Sequence, residues 1–300
     1  MTFYKKLLPA KKNSGFKMEG YYVWCASPIK GDDGRYYLFA SRWPKSTGFP
    51  DGYMHYSEIV LAISDSLDKP FIFEKVIIGE RERGYWDSKM AHNPHIIKID
   101  DEYVLFYIGS VDGSVNKRAI GYARSNNLNG DWERSDNPIN LPLNSNNPSV
   151  IVEKDKSILI AFRDGNLKLM IAKAKAYDLE YKIVNTNVFP GIMLEDPFMF
   201  KVSDRYEMLI EDNIGGLTGN VRYGAHLISM DGVHWETNTP VLAYDHELIW
   251  EDGTVIQADR RERPQLLIDD TNVSCLFTAV KVGGETWSFV QPIADIDETV

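Results

Sequence analysis

The sequence predicts an all-β fold, a five-bladed β-propeller with four-stranded antiparallel blades, that fills residues 1–300 as a single domain. The main observation is a hairpin pattern, led by a proline, that occurs five times along the chain. The leading prolines are Pro28, Pro94, Pro148, Pro197 and Pro264. Their spacings are 66, 54, 49 and 67 residues, and almost no segment has a helical period. Repeats of this length with several short strands are typical of propellers.

Each repeat has the same internal order, as in the first copy, SPIKGDDGRYYL. A proline is followed by four or five apolar or alternating residues, a polar turn and a second alternating run, which predicts a β-hairpin. Proline cannot donate to a sheet ladder, so it is expected at the start of the first strand. A third strand is expected within residues 59–67, 119–132, 169–178 and 224–235. Short runs such as 71–78 and 240–244 supply outer strands.

Composition narrows the possible partners. The net charge of -10 argues against nucleic acid or an anionic membrane surface as a partner. No signal-peptide pattern and no run of 18 apolar residues occurs, so we expect a soluble cytoplasmic chain. Cys25 and Cys275 lie within apolar strand patterns, which predicts buried free thiols rather than a disulfide.

The repeats also predict where a ligand site forms. In a propeller the first strand of every blade lines the central axis, so the residue pairs before the prolines are expected to meet in one funnel. These pairs are Ala26-Ser27, His92-Asn93, Asn146-Asn147, Glu195-Asp196 and Glu262-Arg263. Their carboxylate, guanidinium, amide, hydroxyl and imidazole groups suit a polyhydroxylated ligand such as a sugar.

Further aromatic and charged residues lie near these pairs in sequence, and we regard them as candidate ligand contacts. They are Trp24, Arg42, Trp86, Asp87, Arg163 and Asp212. Packing between blades is an equal alternative for Trp24. The arginines Arg42, Arg163 and Arg263 have the planar fork that binds carboxylate or phosphate, although ion pairs with neighbouring acids are the alternative.

His92 and His95 have a spacing that suggests a metal site. Residues three apart in a strand point to opposite faces, so these two imidazoles are poorly placed to bind one ion. We therefore predict no catalytic metal and no cofactor.

The sequence LEDPF resembles a motif of the five-bladed propeller glycoside hydrolases of family 43 and their relatives in families 32, 68, 117 and 130. The resemblance implies a carbohydrate substrate and a general-acid role for Glu195, which stands two residues before Pro197. It also implies aspartates before the prolines of blades 1 and 3, where this chain has Ser27 and Asn147. Neither of these side chains can serve as an ionised base.

Glycoside hydrolysis requires two carboxyl groups, one protonated and one ionised. With Glu195 as the acid, Asp87 ranks first as the second carboxylate, since it precedes His92 closely and neighbours Trp86. The other candidates for the second carboxylate are Asp164, Asp212, Glu262 and Glu19, and Asp196, which directly follows Glu195, is also a candidate catalytic residue. Three functions therefore remain open: a glycoside hydrolase, a carbohydrate-binding propeller without catalysis, and a phosphorylase that uses the arginines to bind phosphate.

Overall fold

The computed structural model describes residues 3–269 and 272–294 and confirms the predicted propeller. Five antiparallel sheets surround a central axis, and the first strand of each sheet contacts the first strands of the two neighbouring sheets. Within residues 3–269 and 272–294, no helix is both long and apolar enough to cross a bilayer.

The strands follow the chain in blade order. Blade 1 contains β1 (Tyr21–Lys30), β2 (Tyr36–Pro44), β3 (Glu58–Ser64) and β4 (Ile72–Ile78). Blade 2 contains β5 (Met90–Ile99), β6 (Glu102–Ser110), β7 (Arg118–Ser125) and β8 (Glu133–Arg134). Blade 3 contains β9 (Asn146–Val152), β10 (Ile158–Arg163), β11 (Leu169–Ala174) and β12 (Lys182–Asn185). Blade 4 contains β13 (Leu194–Val202), β14 (Arg205–Asp212), β15 (Tyr223–Ser229) and β16 (Glu236–Tyr244).

The remaining elements complete the ring. A hairpin of β17 (Glu247–Ile249) and β18 (Val255–Gln257) precedes the last sheet. Blade 5 contains β19 (Arg260–Asp269), β20 (Asn272–Val282) and β21 (Glu285–Pro292). Helical segments are short, namely α1 (Tyr53–Tyr56) and the 3-10 turns Phe3–Lys6, Lys45–Thr47 and Val115–Lys117.

The N-terminal segment closes the propeller by pairing with the outer strand of blade 5. The Phe16 amide donates to the Ser288 carbonyl at 3.1 Å, and the Leu8 amide donates to the Pro292 carbonyl at 2.8 Å. These contacts lie where a fourth strand of blade 5 would stand. Isolated β-bridges between Leu7 and Ile293 and between Phe16 and Ser288 thereby tie the first segment of the chain to the last blade.

Apolar side chains fill the spaces between neighbouring blades. Between blades 1 and 2, for example, Phe39 and Leu61 pack with Leu105 and Tyr107, and all four are buried. Each fully buried side chain of this size stabilises the fold by about 1.5–3 kcal/mol. Cys25 and Cys275 are buried free thiols, as predicted.

Every innermost strand contains a β-bulge at the same position. In β1, for instance, Trp24 pairs with Ser41 and Ser27 pairs with Phe39, so two residues of β1 face one residue of β2. The first residue of each bulge has a positive φ between 51° and 55°. These bulge residues are Cys25, Asn93, Asn147, Asp196 and Arg263. A bulge re-aims side chains at the end of a strand, and here it does so five times around the axis.

The register corrects the predicted alignment of blade 1. In four blades the bulge residue directly precedes the proline, but in blade 1 Cys25 is followed by Ala26. Ser27 therefore corresponds to Ser149 of blade 3, and both hydroxyls perform the same task. Ser27 Oγ accepts from the Ile96 amide at 3.1 Å, and Ser149 Oγ accepts from the Met199 amide at 2.7 Å. Ser27 thus links neighbouring blades, and Cys25 takes the pocket position that the proline pattern predicts for Ser27.

Candidate active site

A pocket of about 200 Å³ opens at the axis where the five bulges meet. It is lined by bulge residues and the residues before them from all five blades. These are Trp24, Cys25, His92, Asn93, Asn146, Asn147, Glu195, Asp196 and Glu262. Side chains from other strands and loops complete the wall, namely Trp43, Phe49, Pro50, Tyr53, Arg118, Arg163 and Arg260. The predicted convergence of the five blades on one site is therefore present in the structure.

One wall of the pocket is aromatic and comes from the end of β2 and the segment that follows it. Trp43 stacks on Phe49 with ring centroids 5.7 Å apart, and Trp24 meets Phe49 edge to face at 5.1 Å. Tyr53 lies over the His92 ring at 4.6 Å. An aromatic wall opposite polar groups is the usual composition of a small-molecule site.

Glu195 is the most exposed carboxylate in the pocket, with 21% of its side chain accessible. Its Oε1 pairs with Arg163 Nη2 at 2.8 Å, and its Oε2 accepts from the Asn213 side-chain amide at 2.7 Å. The Asn147 amide also donates to Oε1 at 3.5 Å. Glu195 is thus held in place by one guanidinium and two side-chain amides.

Three further carboxylates cluster beside Glu195. Asp196, Glu211 and Glu262 each place an oxygen within 4.8 Å of the other two. Glu262 Oε1 contacts Arg222 Nη1 and Arg260 Nε, both at 2.5 Å. Glu211 Oε1 lies 3.2 Å from the same Arg222 atom, and its Oε2 has no partner among the described residues. We call Asp196, Glu211 and Glu262 the carboxyl cluster.

The carboxyl cluster retains protons near neutral pH. Burial raises the pKa of Asp196 to about 7, with Arg263 opposing this and the charges of Glu195 and Glu262 adding to it. Burial also raises the pKa of Glu211 well above its ordinary value, and the charge of Glu262 acts in the same direction. Closely spaced carboxyl groups cannot all ionise together, so they titrate as a unit.

By distance alone, the carboxyl cluster could hold a cation. Its members already have arginine partners, however, because Arg222 and Arg260 contact Glu262 and Arg263 lies 3.6 Å from Asp196. Together with Glu195 the site has four acidic side chains, and four guanidiniums pair with them. Each carboxylate of the site therefore has an arginine partner, although Glu211 Oε2 has none of its own among the described residues.

Arg263 lies beneath the pocket and is fully buried. Its Nη2 donates to the Pro148 carbonyl at 3.2 Å and to the Asn93 carbonyl at 3.5 Å, and its Nη1 faces Asp196. One side chain of blade 5 thus connects blades 2, 3 and 4 across the axis. This position supports the site from below and does not line it.

His92 and Cys25 form a neutral pair on the pocket floor. His92 Nδ1 lies 2.8 Å from Ser57 Oγ, and Nε2 lies 3.7 Å from Cys25 Sγ. Burial lowers the pKa of His92 to about 3, and it raises the pKa of the Cys25 thiol well above its usual value. At neutral pH this pair is therefore an uncharged imidazole and a thiol. His95 points away from it and hydrogen-bonds the backbone of Val150.

Side-chain amides connect blades 2, 3 and 4 along the pocket. The Asn93 amide donates to Asn147 Oδ1 and to Asn146 Oδ1, the latter at 3.2 Å, and Asn147 in turn reaches Glu195. Asn93 Oδ1 and Arg163 Nε are buried without a partner in the described part of the chain. A buried polar group without a partner lowers the stability of the folded protein.

Two predicted residues, Asp87 and Trp86, lie in blade 2 outside the pocket lining. The Asp87 carboxylate is fully buried and accepts from Arg81 Nε and Tyr107 Oη, both at 2.6 Å. Trp86 stacks on Tyr107 at 5.0 Å and covers Gly121, where a Cβ atom would meet the indole at 2.2 Å. Both residues hold the segment before β5 against blade 2.

The other predicted contacts outside the lining also have structural partners. Arg42 pairs with Glu58 at 2.7 Å in blade 1. Asp212 accepts the backbone amides of Gly216, Leu217 and Thr218 at 2.7–2.9 Å, and so fixes the segment after β14. Ser27 and Arg263 are buried beneath the pocket.

We expect Asp87→Asn to affect stability much more than chemistry. The change removes a buried negative charge that faces Arg81 and, at 3.7 Å, Arg134, and we expect the free energy of unfolding to fall by about 3 kcal/mol. Urea unfolding and steady-state turnover of the folded variant test this. A general base contributes roughly 10²–10⁴-fold to rate, so a loss of that size with unchanged stability would instead assign the base to Asp87.

Several residues of the site have no counterpart in the sequence analysis. Glu211 lies near the end of β14, Arg222 precedes β15, Arg260 begins the inner strand β19, and Arg118 begins β7. Of these residues, only Cys25 could have been placed in the pocket from the sequence. When Ser27 is aligned with Ser149, Cys25 aligns with Asn147 of blade 3. The others depend on strand register, which the sequence pattern does not specify.

The fold is shared with known glycoside hydrolases. A family 117 glycoside hydrolase from the marine bacterium Zobellia galactanivorans has 15% identity and a TM-score of 0.68, with 95% of this chain and 88% of that chain covered. A family 43 β-xylosidase/α-arabinofuranosidase from a compost microbial metagenome has 12% identity and a TM-score of 0.68, with 97% and 96% covered.

A third similar structure is an endo-arabinase from Bacteroides thetaiotaomicron, with 12% identity, a TM-score of 0.64 and coverage of 96% of this chain and 99% of that chain. No protein-family model and no curated protein matches the chain. At identities this low the likeness establishes the five-bladed propeller fold that these enzymes share, and the chemistry has to be argued from the site.

Proposed function

We propose that this protein is a glycoside hydrolase that cleaves a glycosidic bond in the axial pocket. One observation carries the proposal: an accessible carboxylate, Glu195, lies in the pocket directly beside the buried carboxyl cluster, in which burial raises the pKa of Asp196 to about 7. Hydrolysis of a glycosidic bond needs such a pair of carboxyl groups in different protonation states. The aromatic wall adds a surface on which a sugar ring can pack.

The environments of the two carboxyl groups favour one assignment of roles. Glu195 is paired with Arg163 and faces solvent, so it provides the ionised carboxylate. Asp196 lies among Glu195, Glu262 and Glu211 and provides the proton. This assignment departs from the general-acid role that the family resemblance implies for Glu195, because the contacts around Glu195 stabilise its negative charge.

The reaction follows from these roles. Asp196 donates its proton to the leaving oxygen as the bond between that oxygen and the anomeric carbon breaks. Glu195 assists attack on the anomeric carbon, either through a water molecule whose proton it accepts or by bonding to the carbon before water releases the product. Water supplies OH to the new reducing end, the leaving group gains a proton, and no oxidant or cofactor is consumed.

Two other functions share this site, and one experiment separates all three. The purified protein is incubated with a panel of aryl glycosides and oligosaccharides, with and without inorganic phosphate, and the products are separated by chromatography. Release of a reducing sugar without phosphate is the expected result. A strict requirement for phosphate would indicate a phosphorylase, and binding of a glycan without any product would indicate a binding propeller.

The raised pKa of Asp196 predicts how stability depends on pH. The folded protein holds a proton on Asp196 up to about pH 7, whereas an aspartate in an unfolded chain loses its proton near about pH 4. Between these values the folded state binds more protons than the unfolded state, so the free energy of unfolding falls as the pH rises. Urea unfolding from about pH 4.5 to about pH 7.5 measures this slope.

The variant Asp196→Asn is the matched control for this dependence. It removes the titrating group and keeps the shape of the side chain, so its stability is expected to fall less steeply over the same range. Glu211 and Glu262 contribute the slope that remains, since they belong to the same cluster. An identical slope for the wild type and Asp196→Asn would show that Asp196 does not hold this proton.

A further inference from the structure

One guanidinium in the pocket has no acidic partner. Arg118 lines the pocket and is only 8% exposed. The four acids of the site are matched by four other arginines. Among residues 3–269 and 272–294, no carboxylate forms an ion pair with Arg118, which distinguishes it from the other four arginines of the site.

The hydrogen bonds of Arg118 hold its guanidinium in one orientation, and none of them neutralises its positive charge. Its Nε and Nη2 donate to Asn144 Oδ1 at 3.1 and 2.8 Å, and Nε also donates to the Val115 carbonyl at 3.2 Å. Its Nη1 donates to Tyr53 Oη at 3.2 Å. All of these acceptors are neutral, and a guanidinium has five N–H donors, so Nη1 and Nη2 each keep a hydrogen for a ligand.

Tyr53 connects Arg118 to the catalytic carboxylates. Its phenol has a raised pKa, mainly because it is buried, and the charges of Arg118 and Glu195 act on it in opposite directions. Tyr53, Arg118 and Glu195 also line the same pocket of about 200 Å³. A group bound to Arg118 would belong to the sugar unit at Glu195 or to its immediate neighbour, or would be a small anion held next to that sugar.

We propose that Arg118 forms an oxyanion subsite, which makes the preferred ligand a sugar with a negatively charged group beside the cleaved bond. This subsite deepens the proposed glycoside hydrolase function. Anion binding at Arg118 does not depend on that function, and only the cleavage of the neighbouring bond rests on it. A buried cation whose remaining N–H groups face a pocket gains a charge-assisted hydrogen bond from a carboxylate or a phosphate, and a neutral hydroxyl gives less. Two sources fit this chemistry: the carboxylate of a uronic acid, and inorganic phosphate bound next to a neutral sugar.

Calorimetric titration with defined probes tests the subsite. The probes are glucuronate, galacturonate, the methyl ester of galacturonate, glucose, galactose and inorganic phosphate. The wild type is expected to bind a uronate at least about tenfold more tightly than its methyl ester or the matching neutral sugar, since a charged hydrogen bond is worth about that factor. Binding of phosphate together with a neutral sugar, and no preference for uronates, would identify phosphate as the anion.

Two variants on the same strand complete the test. Arg118→Gln keeps hydrogen-bonding capacity but removes the charge, and it is expected to lose the preference for the anion, measured as the ratio of uronate affinity to neutral-sugar affinity. Arg124→Gln is the matched control, because Arg124 also lies on β7 but is 42% exposed and pairs with Glu133 outside the pocket. This control is expected to bind every probe like the wild type.

Two results would overturn the proposal. The first is a wild type that prefers no anionic probe over its neutral counterpart, and this comparison needs no variant to fold. The second is an anion preference that survives in Arg118→Gln. Binding and cleavage are measured separately, so the two proposals can fail independently. Anion-dependent binding without hydrolysis would support the oxyanion subsite and contradict the glycoside hydrolase function. Hydrolysis of neutral glycosides without any anion preference would support the hydrolase function and contradict the subsite.

Discussion

Glu195→Ala is expected to lower kcat/KM by about 10³-fold or more, while the affinity for the sugar changes only a few-fold. A positioned carboxyl group that acts in the transition state contributes roughly 10²–10⁴-fold to the rate, and Glu195 is the carboxylate that solvent and ligand reach most easily. The sugar is held mainly by the aromatic wall and the amide groups, which the substitution leaves in place. Steady-state kinetics and calorimetry on the same preparation measure the two effects.

Chemical rescue then identifies the role of Glu195. If Glu195 supplies the ionised carboxylate, sodium azide restores part of the turnover of Glu195→Ala by taking the vacated space. Asp196→Asn, in contrast, is expected to retain turnover of a dinitrophenyl glycoside, whose leaving group needs no proton. The opposite pattern would return the general-acid role to Glu195. Glu133→Ala, a change at an exposed residue of β8, is the control for preparation effects.

Arg263→Met is expected to lower the free energy of unfolding by about 3–5 kcal/mol. At a pH above about 7, where Asp196 is ionised, the substitution leaves its buried carboxylate without a cation, and at any pH it removes the donor to the Asn93 and Pro148 carbonyls. Breaking a buried pair at one partner costs about this much. Urea unfolding monitored by tryptophan fluorescence provides the measurement.

A double-mutant cycle separates the Asp196 contact from the rest of this effect. Arg263→Met combined with Asp196→Asn is expected to be more stable than Arg263→Met alone, because the neutral amide needs no cation. Arg124→Met, at an exposed arginine, is expected to change stability by less than about 0.5 kcal/mol. A loss below about 1 kcal/mol for Arg263→Met would mean that this side chain does not hold blades 2 to 5 together.

The five-bladed architecture was predictable because its signal is local and repeated. A proline after the bulge and an alternating hairpin behind it mark four blades correctly at Pro94, Pro148, Pro197 and Pro264. Blade 1 departs from the pattern because Ala26 follows the bulge and Pro28 stands two residues later. At the position of Pro28 the other blades can offer a backbone N–H to the preceding blade. Pro28 has no backbone N–H to donate. In blade 1 the hydrogen bond to blade 5 comes instead from Ser27 Oγ, which donates to Gln265 Oε1.

The site was predictable where it lies on the inner strands. Glu195, Asp196, His92, Asn93 and Asn147 all reach the pocket, as do Trp24, Arg163 and Glu262. Asp87 and Arg42 lie near the same strands in sequence, but each is bound by an opposite charge outside the pocket. Arg118 and Glu211 lie on the third strand of blade 2 and the second strand of blade 4. Sequence spacing cannot place such positions, because the rim that a strand end faces depends on the sheet register.

The most direct test of the central claim is hydrolysis in water enriched in ¹⁸O, followed by mass spectrometry of the released sugars across neutral and uronic-acid glycosides. We expect one ¹⁸O atom in the new reducing sugar with the wild type and no labelled product above background with Glu195→Ala. The absence of labelled product from the wild type across the whole panel, or equal labelling by wild type and Glu195→Ala, would contradict the assignment of this pocket as a site of glycoside hydrolysis.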